Sequence, residues 1–200
     1  MEDIYRTIEK PSEGLFKDKG SRFISYAFQI NSEEEIREIV QSIKKEHHAA
    51  RHHCYAWRLG TNNAYFRVND DGEPSSTAGK PILGQIQSFN LTNILIVVVR
   101  YFGGTLLGVS GLINAYRNAA LEAIYNAIIV EKIIEKRLII EFDYLAMNDV
   151  MKIFKDEKLS QIDPQFDLSC KVETTIRLNE TDRIEQEFLK IEGVKVTALG

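Results

Sequence analysis

Cysteine is scarce in this chain. Its 200 residues include two, Cys54 and Cys170, which lie far apart in the sequence and belong to no CxxC pair. A disulfide framework needs several cysteines, and a structural zinc site needs closely spaced ones. The sequence therefore indicates neither feature, and we interpret both cysteines as reduced thiols.

Long hydrophobic runs are missing as well. No apolar stretch approaches the roughly 18 to 20 residues that a transmembrane helix requires. The N-terminal residues MEDIYRTIEK carry no hydrophobic segment of the kind that marks a signal peptide. We therefore expect no membrane partner and place the protein in the cytoplasm.

The chain has no excess of positive charge, which a protein needs if it is to coat nucleic acid through bulk charge. Lys and Arg number 25 against 29 Asp and Glu, a formal net charge of −4. Residues 137–200 hold 9 Lys and Arg against 13 Asp and Glu, which leaves 16 of each for the first 136 residues. Any basic site must be local, and we expect it in the N-terminal part.

The most informative stretch that is present runs from Asn93 to Ala127. Ile94 to Val99 are all apolar and mostly β-branched, which is typical of a central strand buried on both faces. A loop with four glycines follows: Gly103, Gly104, Gly108 and Gly111. An amphipathic helix comes next, with Ser110 as its expected N-cap.

This strand, glycine loop and helix N-terminus together form a potential anion site, because free backbone N–H groups and the positive end of the helix dipole converge there. The alternative is that the glycines merely permit close packing of strand and helix. The spacing matches neither the dinucleotide fingerprint nor the nucleotide-triphosphate loop, so no cofactor is indicated.

The residues before this stretch predict strands, a helix and a hairpin. We expect short strands, a strand from Arg22 to Ile30, and a helix capped by Ser32 with Glu35. Strands His53–Leu59 and Tyr65–Asp70, joined by a GTNN turn, form the hairpin. Its first strand places His53, Tyr55, Trp57 and Leu59 on one face, which we interpret as the core face, and His52, Cys54, Ala56 and Arg58 on the other. The loop DDGEPSSTAGKP leads into a helix from about Pro81 to Phe89.

The remaining third predicts a second domain. Apolar spacing alternates between periods of two and of 3.6 residues, giving the order β-α-β-β-α-β of the ferredoxin-like plan. The segment EKIIEK, residues 131–136, is the predicted junction. We therefore predict an α+β protein with domains at 1–134 and 137–200.

Three sequence blocks, ARHHCYAWR, DDGEPSSTAGKPIL and VVVRYFGGTLLGVSGLINAY, resemble those of the YigZ/IMPACT family. The resemblance implies an N-terminal domain with the ribosomal-protein domain-2-like fold and a C-terminal domain similar to the last domain of elongation factor G. Eukaryotic relatives act as translational regulators, and RNA or ribosome binding is suggested for bacterial ones. The matching positions are His52, Cys54, Asp70, Asp71, Gly72, Glu73, Pro74, Thr77, Ala78, Gly79, Arg100, Tyr101, Gly103, Gly104, Gly108 and Gly111.

Three chemical alternatives compete with simpler interpretations. His47, His48, His52 and His53 form a cluster that could bind a metal, although their directions diverge and we predict no metal site. Asp70, Asp71 and Glu73 could hold Mg²⁺, or they could hydrogen-bond their own backbone in a turn, which we favour. Cys54 with His52 could be a nucleophile and its base, but a buried strand thiol is the better interpretation.

Our first hypothesis is a non-enzymatic protein that binds RNA or the ribosome and regulates translation. The expected anion-binding residues are Arg51, His52, Arg58, Lys80, Arg100, Tyr101, Gly103, Gly104, Gly108 and Gly111, beside a motif loop containing Asp70, Asp71, Gly72, Glu73, Pro74, Thr77 and Gly79. The alternative is a Mg²⁺-dependent enzyme acting on a phosphorylated small molecule or nucleotide. A third hypothesis is a partner-binding module that uses the acidic second domain.

Overall fold

The computed structural model describes residues 3–61 and 65–199, which form an α+β protein in two compact units. The first unit contains residues 5–132, and the second contains residues 133–199 with residues 3 and 4. That residues 1–134 and 137–200 fold as separate domains stays a prediction. Within the described residues, no helix combines the length and the apolar composition needed to cross a membrane.

The first unit begins with three strands and a helix. They are β1 (Ile4–Ile8), β2 (Ser12–Asp18), β3 (Ser21–Gln29) and α1 (Glu33–Glu46). The hairpin and its following helix are β4 (His52–Leu59), β5 (Tyr65–Asn69) and α2 (Gly79–Ser88). The unit is completed by β6 (Ile94–Tyr101), α3 (Gly108–Tyr125) and β7 (Ile129–Ile133). The tip of the predicted GTNN turn lies outside the described residues.

A five-stranded antiparallel sheet in the order β2-β3-β6-β4-β5 forms the centre of this unit. Ile94 to Val99 are fully buried, which confirms the predicted central strand. Alternate residues of β6 face α2 and α3 on one side, and the others face α1 on the opposite side. A separate two-stranded sheet pairs β1 with β7.

The choice of a single core face for β4 was wrong. Trp57 packs beneath α1 as predicted, but Cys54 and Ala56 on the other face are fully buried by α2 and α3. Alternation distinguishes the two faces of a strand, but it does not reveal that helices cover both.

One of the two predicted helix caps is present in the structure. Ser32 caps α1, accepting a hydrogen bond from Glu35 N at 3.2 Å, as expected. Ser110 does not cap α3, because this helix begins at Gly108 with Leu107 at its N-cap and no side-chain cap. Leu107 is 8% exposed and belongs to the core, so burial of its side chain fixes the entry of the chain into the helix.

The second unit has the predicted order β-α-β-β-α-β. Its elements are β8 (Glu135–Asp143), α4 (Met147–Asp156), β9 (Ile162–Phe166), β10 (Ser169–Arg177), α5 (Thr181–Leu189) and β11 (Lys195–Leu199). The sheet order β11-β8-β10-β9 is the ferredoxin-like arrangement, with a core that includes Val150 and Phe188 from the two helices. The predicted junction at residues 131–136 is instead almost entirely strand, since β7 ends at Ile133 and β8 begins at Glu135.

Candidate functional site

Four buried polar side chains meet on the face of the first sheet that carries α2 and α3. Glu73 Oε1 accepts hydrogen bonds from Arg100 Nη1 at 2.6 Å and from the Tyr116 hydroxyl at 2.7 Å. Cys54 Sγ lies 3.3 Å from the same hydroxyl. The Glu73 and Arg100 side chains are 3% and 8% exposed, so their ion pair is shielded from water. This cluster joins all three sequence blocks at one point.

The Nε–H of Arg100 is a buried donor that no described group accepts. The Arg100 guanidinium carbon lies 5.6 Å from the centroid of the Phe23 ring and 5.8 Å from that of Phe102. Its Nε is buried and has no hydrogen-bond partner among the residues that the structure describes. A buried N–H without an acceptor is costly, and this one lies beneath the loop that enters α3.

Asp70 occupies the N-terminus of α2. Its Oδ1 accepts hydrogen bonds from Ala78 N at 3.1 Å and Gly79 N at 2.8 Å, and its Oδ2 accepts one from Ser76 N at 2.8 Å. Helix N-terminal N–H groups attract anions, and here a carboxylate of the chain itself fills that position. Lys80 is exposed in the first turn of the same helix.

Asp71 ties the motif loop to two other elements. Its Oδ2 accepts a hydrogen bond from His53 N at 2.8 Å, and its Oδ1 lies 3.0 Å from Lys44 Nζ. Burial raises the pKa of the Asp71 carboxyl, but the His53 N–H and the Lys44 ammonium outweigh it and hold this pKa below its usual value. The residue adopts a left-handed backbone conformation, with φ of 39°.

The three carboxylates of the motif loop therefore have separate partners and do not converge. Within residues 3–61 and 65–199, no group of three or more His, Cys, Asp or Glu side chains is placed to hold a metal ion. A Mg²⁺ site needs clustered oxygen ligands with free lone pairs. Asp70, Asp71 and Glu73 therefore do not form the shared Mg²⁺ site that the alternative hypothesis expects.

Cys54 and His52 do not form a nucleophile-base pair. Cys54 is fully buried, with its Sγ 3.0 Å from Asp70 O, and burial raises the pKa of its thiol far above the usual value. His52 instead places Nδ1 2.9 Å from Asp71 O. A high thiol pKa disfavours the reactive thiolate. The full burial of Cys54 within β4 confirms the interpretation of a buried strand thiol.

The other histidines of the cluster also serve separate contacts. His47 bridges two tyrosines, with Nε2 2.7 Å from the Tyr26 hydroxyl and Nδ1 2.8 Å from that of Tyr101. His53 Nε2 lies 3.1 Å from His47 O on the α1 side of the sheet, whereas His52 faces the opposite side. His48 is exposed. Their rings point to different partners.

The structure separates the predicted anion-binding residues. His52 lies directly opposite Arg100, next to the exposed Arg51, so these three share one end of the sheet. Arg58 is six positions further along β4, about 20 Å away by strand rise. It is buried, donates from Nη1 to Leu91 O at 3.0 Å, and burial lowers its pKa. Arg58 therefore does not join the site, and this part of the prediction was wrong.

Tyr101 was also predicted for this site, but its hydroxyl faces α1. The side chain leaves β6 on the side opposite to Arg100, because successive strand residues alternate between faces. It contributes instead to the contact with His47.

Two different physical constraints explain the glycines of this loop. A Cβ at Gly103 would overlap the backbone of Gly20 and Ser21, so close packing explains that position. Gly104 and Gly108 adopt φ of 88° and 72° with open space around them, so conformation explains those. The packing alternative thus accounts for part of the loop only.

The surface around this loop combines apolar and basic side chains. Phe102, Leu106 and Val109 are 57%, 82% and 60% exposed. The close approach of Gly103 to the β2–β3 turn also brings the exposed Lys19 near the loop, which sequence reasoning missed. The sequence shows the turn residues Lys19–Gly20, but only the folded sheet shows that this turn lies beside the glycine loop.

Comparison with known proteins identifies the family of this chain. The model of the Impact N-terminal domain matches residues 19–124, more than half of the chain and all three sequence blocks. The chain belongs to the IMPACT family. The IMPACT family member YvyE of Bacillus subtilis is 31% identical over 191 residues, covering 96% of this chain and 88% of the relative. The IMPACT family member YigZ of Escherichia coli is 43% identical over 108 residues, or 53% of each chain.

A solved structure supports the fold over the whole length. The crystal structure of a hypothetical protein matches with a TM-score of 0.76 at 25% identity, covering 100% of this chain and 99% of its own. The α+β fold and the resemblance to the YigZ/IMPACT family are both confirmed.

Proposed function

We propose that this IMPACT family protein is a non-enzymatic regulator of translation that binds RNA or the ribosome. Its contact surface comprises the loops 70–79 and 103–111. Family membership supports the link to translation, because the resemblance connects the chain to eukaryotic translational regulators. The binding surface itself is argued from the geometry of the first unit.

One observation carries the proposal: the long helix α3 begins at an exposed, glycine-containing loop without a side-chain cap. α3 spans 18 residues and has no side-chain cap, so its first N–H groups and its dipole favour a negative partner. A phosphate group of RNA has the charge and the acceptor atoms for this position.

The exposed groups nearby suit a nucleic-acid partner. Lys19 and Arg51 are exposed at the same end of the sheet as the glycine loop, and Phe102 offers an exposed aromatic ring. Lysine and arginine neutralise phosphates, while aromatic rings stack on unpaired bases. The basic site is local within a chain of net charge −4, as the charge distribution of the sequence predicts.

The same geometry argues against catalysis at this site. The motif-loop carboxylates are engaged in internal hydrogen bonds, and the thiol of Cys54 is buried with a raised pKa. A catalytic base or nucleophile must reach a substrate atom. These groups instead hold the loops in place.

The test is a salt series with the purified chain, a structured RNA and ribosomes, from low to physiological ionic strength. We expect binding that weakens steeply with salt. The double variant Lys19→Ala/Arg51→Ala should bind more weakly, with a salt slope smaller by about 0.7 to 0.9 for each phosphate that the variant no longer neutralises.

Lys10→Ala/Arg67→Ala is the matched control, because it removes the same charge from exposed positions just before β2 and on the edge strand β5. Equal weakening of RNA binding in both double variants would show that the effect comes from net charge and not from the positions of Lys19 and Arg51. Absence of binding at low salt would contradict the proposal.

A further inference from the structure

Helix α1 leaves part of its face of the first sheet uncovered. Glu13, Leu15 and Lys17 of β2 alternate onto this face, because Ser12 and Gly14 point towards α3. The core beneath α1 includes residues of β4 and β6 but none of β2. The uncovered part lies at the outer edge of the sheet, where Leu15 is 49% exposed.

An open groove occupies this surface. Its volume is about 390 Å³, within the range of roughly 300 to 1,000 Å³ that small-ligand sites occupy. It is lined by Glu13, Gly14, Leu15, Lys17, Arg22, Ile24 and Asn126. Asn126 Nδ2 donates to Glu13 O at 2.8 Å, which anchors the backbone at one end of the groove.

Strands β2 and β3 place three cross-strand rows on this face. Glu13 lies opposite Tyr26, Leu15 opposite Ile24, and Lys17 opposite Arg22. The groove therefore has an acidic end, an apolar middle and a basic end. The last row lies four residue steps along β2 from the first, about 14 Å.

The basic end is preorganised and not neutralised by a carboxylate. The Arg22 guanidinium lies over the Tyr101 ring, 5.2 Å from its centroid, and the Tyr101 hydroxyl is held 2.8 Å from His47 Nδ1. Among the residues that the structure describes, neither Lys17 nor Arg22 belongs to an ion pair. A stacked guanidinium presents its second face and its edge to a ligand.

We propose that this groove binds a guanine nucleotide of a single-stranded RNA. Lys17 and Arg22 bind its phosphate, the base lies over Leu15 and Ile24, and the Glu13 carboxylate accepts hydrogen bonds from the base edge. This inference rests on the proposed function, since it names the nucleotide that the same unit recognises beside the glycine loop.

Guanine is favoured by the acidic end of the groove. Its Watson–Crick edge carries two adjacent donors, N1–H and the exocyclic amino group, which match the two oxygens of a carboxylate. Adenine presents an acceptor at N1, which would face the Glu13 carboxylate without a proton between them. A bidentate contact of this kind with a base changes the binding affinity about tenfold or more.

The test compares short oligouridine strands that carry one central guanine, inosine or adenine, by fluorescence anisotropy at low salt. We expect the guanine strand to bind about tenfold more tightly than the adenine strand, with inosine between them because it lacks the exocyclic amino group. Glu13→Gln should abolish this order while retaining binding of all three strands. Glu38→Gln, an exposed carboxylate of α1, is the matched control and should keep the order.

The outcomes separate this inference from the proposed function. Strands that bind equally, with no effect of Glu13→Gln, would overturn the guanine groove and leave RNA binding intact. Absence of binding to any strand at low salt, under conditions where the structured RNA or ribosomes still bind, would overturn the groove alone, and absence of binding to all of them would overturn both proposals. Free guanosine monophosphate that binds as tightly as the guanine strand, and depends on Glu13 in the same way, would overturn the assignment to an RNA strand.

Discussion

The buried ion pair between Glu73 and Arg100 can be tested by removing each partner alone and both together. Their side chains are 3% and 8% exposed and 2.6 Å apart, and the pair joins the motif loop to β6. The variants are Glu73→Leu, Arg100→Met and the double variant, which replaces both charges by apolar groups of comparable length.

Each single variant should lower the free energy of unfolding by about 3 to 5 kcal/mol, because the remaining charge stays buried without its counter-charge. Arg100 would then lie between Phe23 and Phe102 with no carboxylate partner, and Glu73 would keep only the hydroxyl of Tyr116. The double variant should lower the free energy of unfolding by less than either single variant does, since no unpaired charge remains.

Urea unfolding followed by tryptophan fluorescence is the suitable assay. The chain has one tryptophan, Trp57, which is 3% exposed in β4 and therefore reports on the unit that contains the pair. Arg37→Ala, which removes an exposed i,i+4 pair with Glu33, is the control and should change the free energy by no more than about 0.5 kcal/mol. Single effects that simply add in the double variant would refute the reasoning.

Two further predictions concern backbone fit and pH. Gly103→Ala should destabilise the first unit far more than Gly104→Ala. A Cβ at position 103 would overlap the β2–β3 turn, whereas position 104 has open space and only a left-handed φ. Equal midpoints of thermal unfolding for the two variants would contradict this. Asp71 has a pKa below its usual value, so its contacts with His53 N and Lys44 contribute stability above the unfolded-state pKa that disappears as pH falls through the lower folded-state pKa. Asp71→Asn should therefore show a smaller drop in stability on acidification than the unmodified chain, and identical pH profiles would count against it.

Local sequence patterns correctly predicted most elements of the fold. The apolar run at residues 94–99 is the buried central strand, and Ser32 caps α1. The alternating periods of the last third predicted its β-α-β-β-α-β order. These features depend on neighbours within about one turn or one strand, so the information lies in the adjacent sequence.

Contacts between distant segments explain where the site prediction failed. Arg58 and Arg100 look alike in sequence and both are buried, yet one donates to Leu91 O and the other to Glu73. Each arginine faces the α2 and α3 side of the sheet, but they lie at opposite ends of it. Spacing along one strand does not show which loop will cover which end.

By itself, the sequence determined the family, the α+β class and the strand at the centre of the first sheet, because these depend on motif identity and on the period of apolar residues. The tertiary structure alone decided that the carboxylates at residues 70, 71 and 73 have separate partners. It also decided that β2 and β3 leave a groove beyond α1. Such features arise from register and packing between segments far apart in the chain, which local periodicity does not encode.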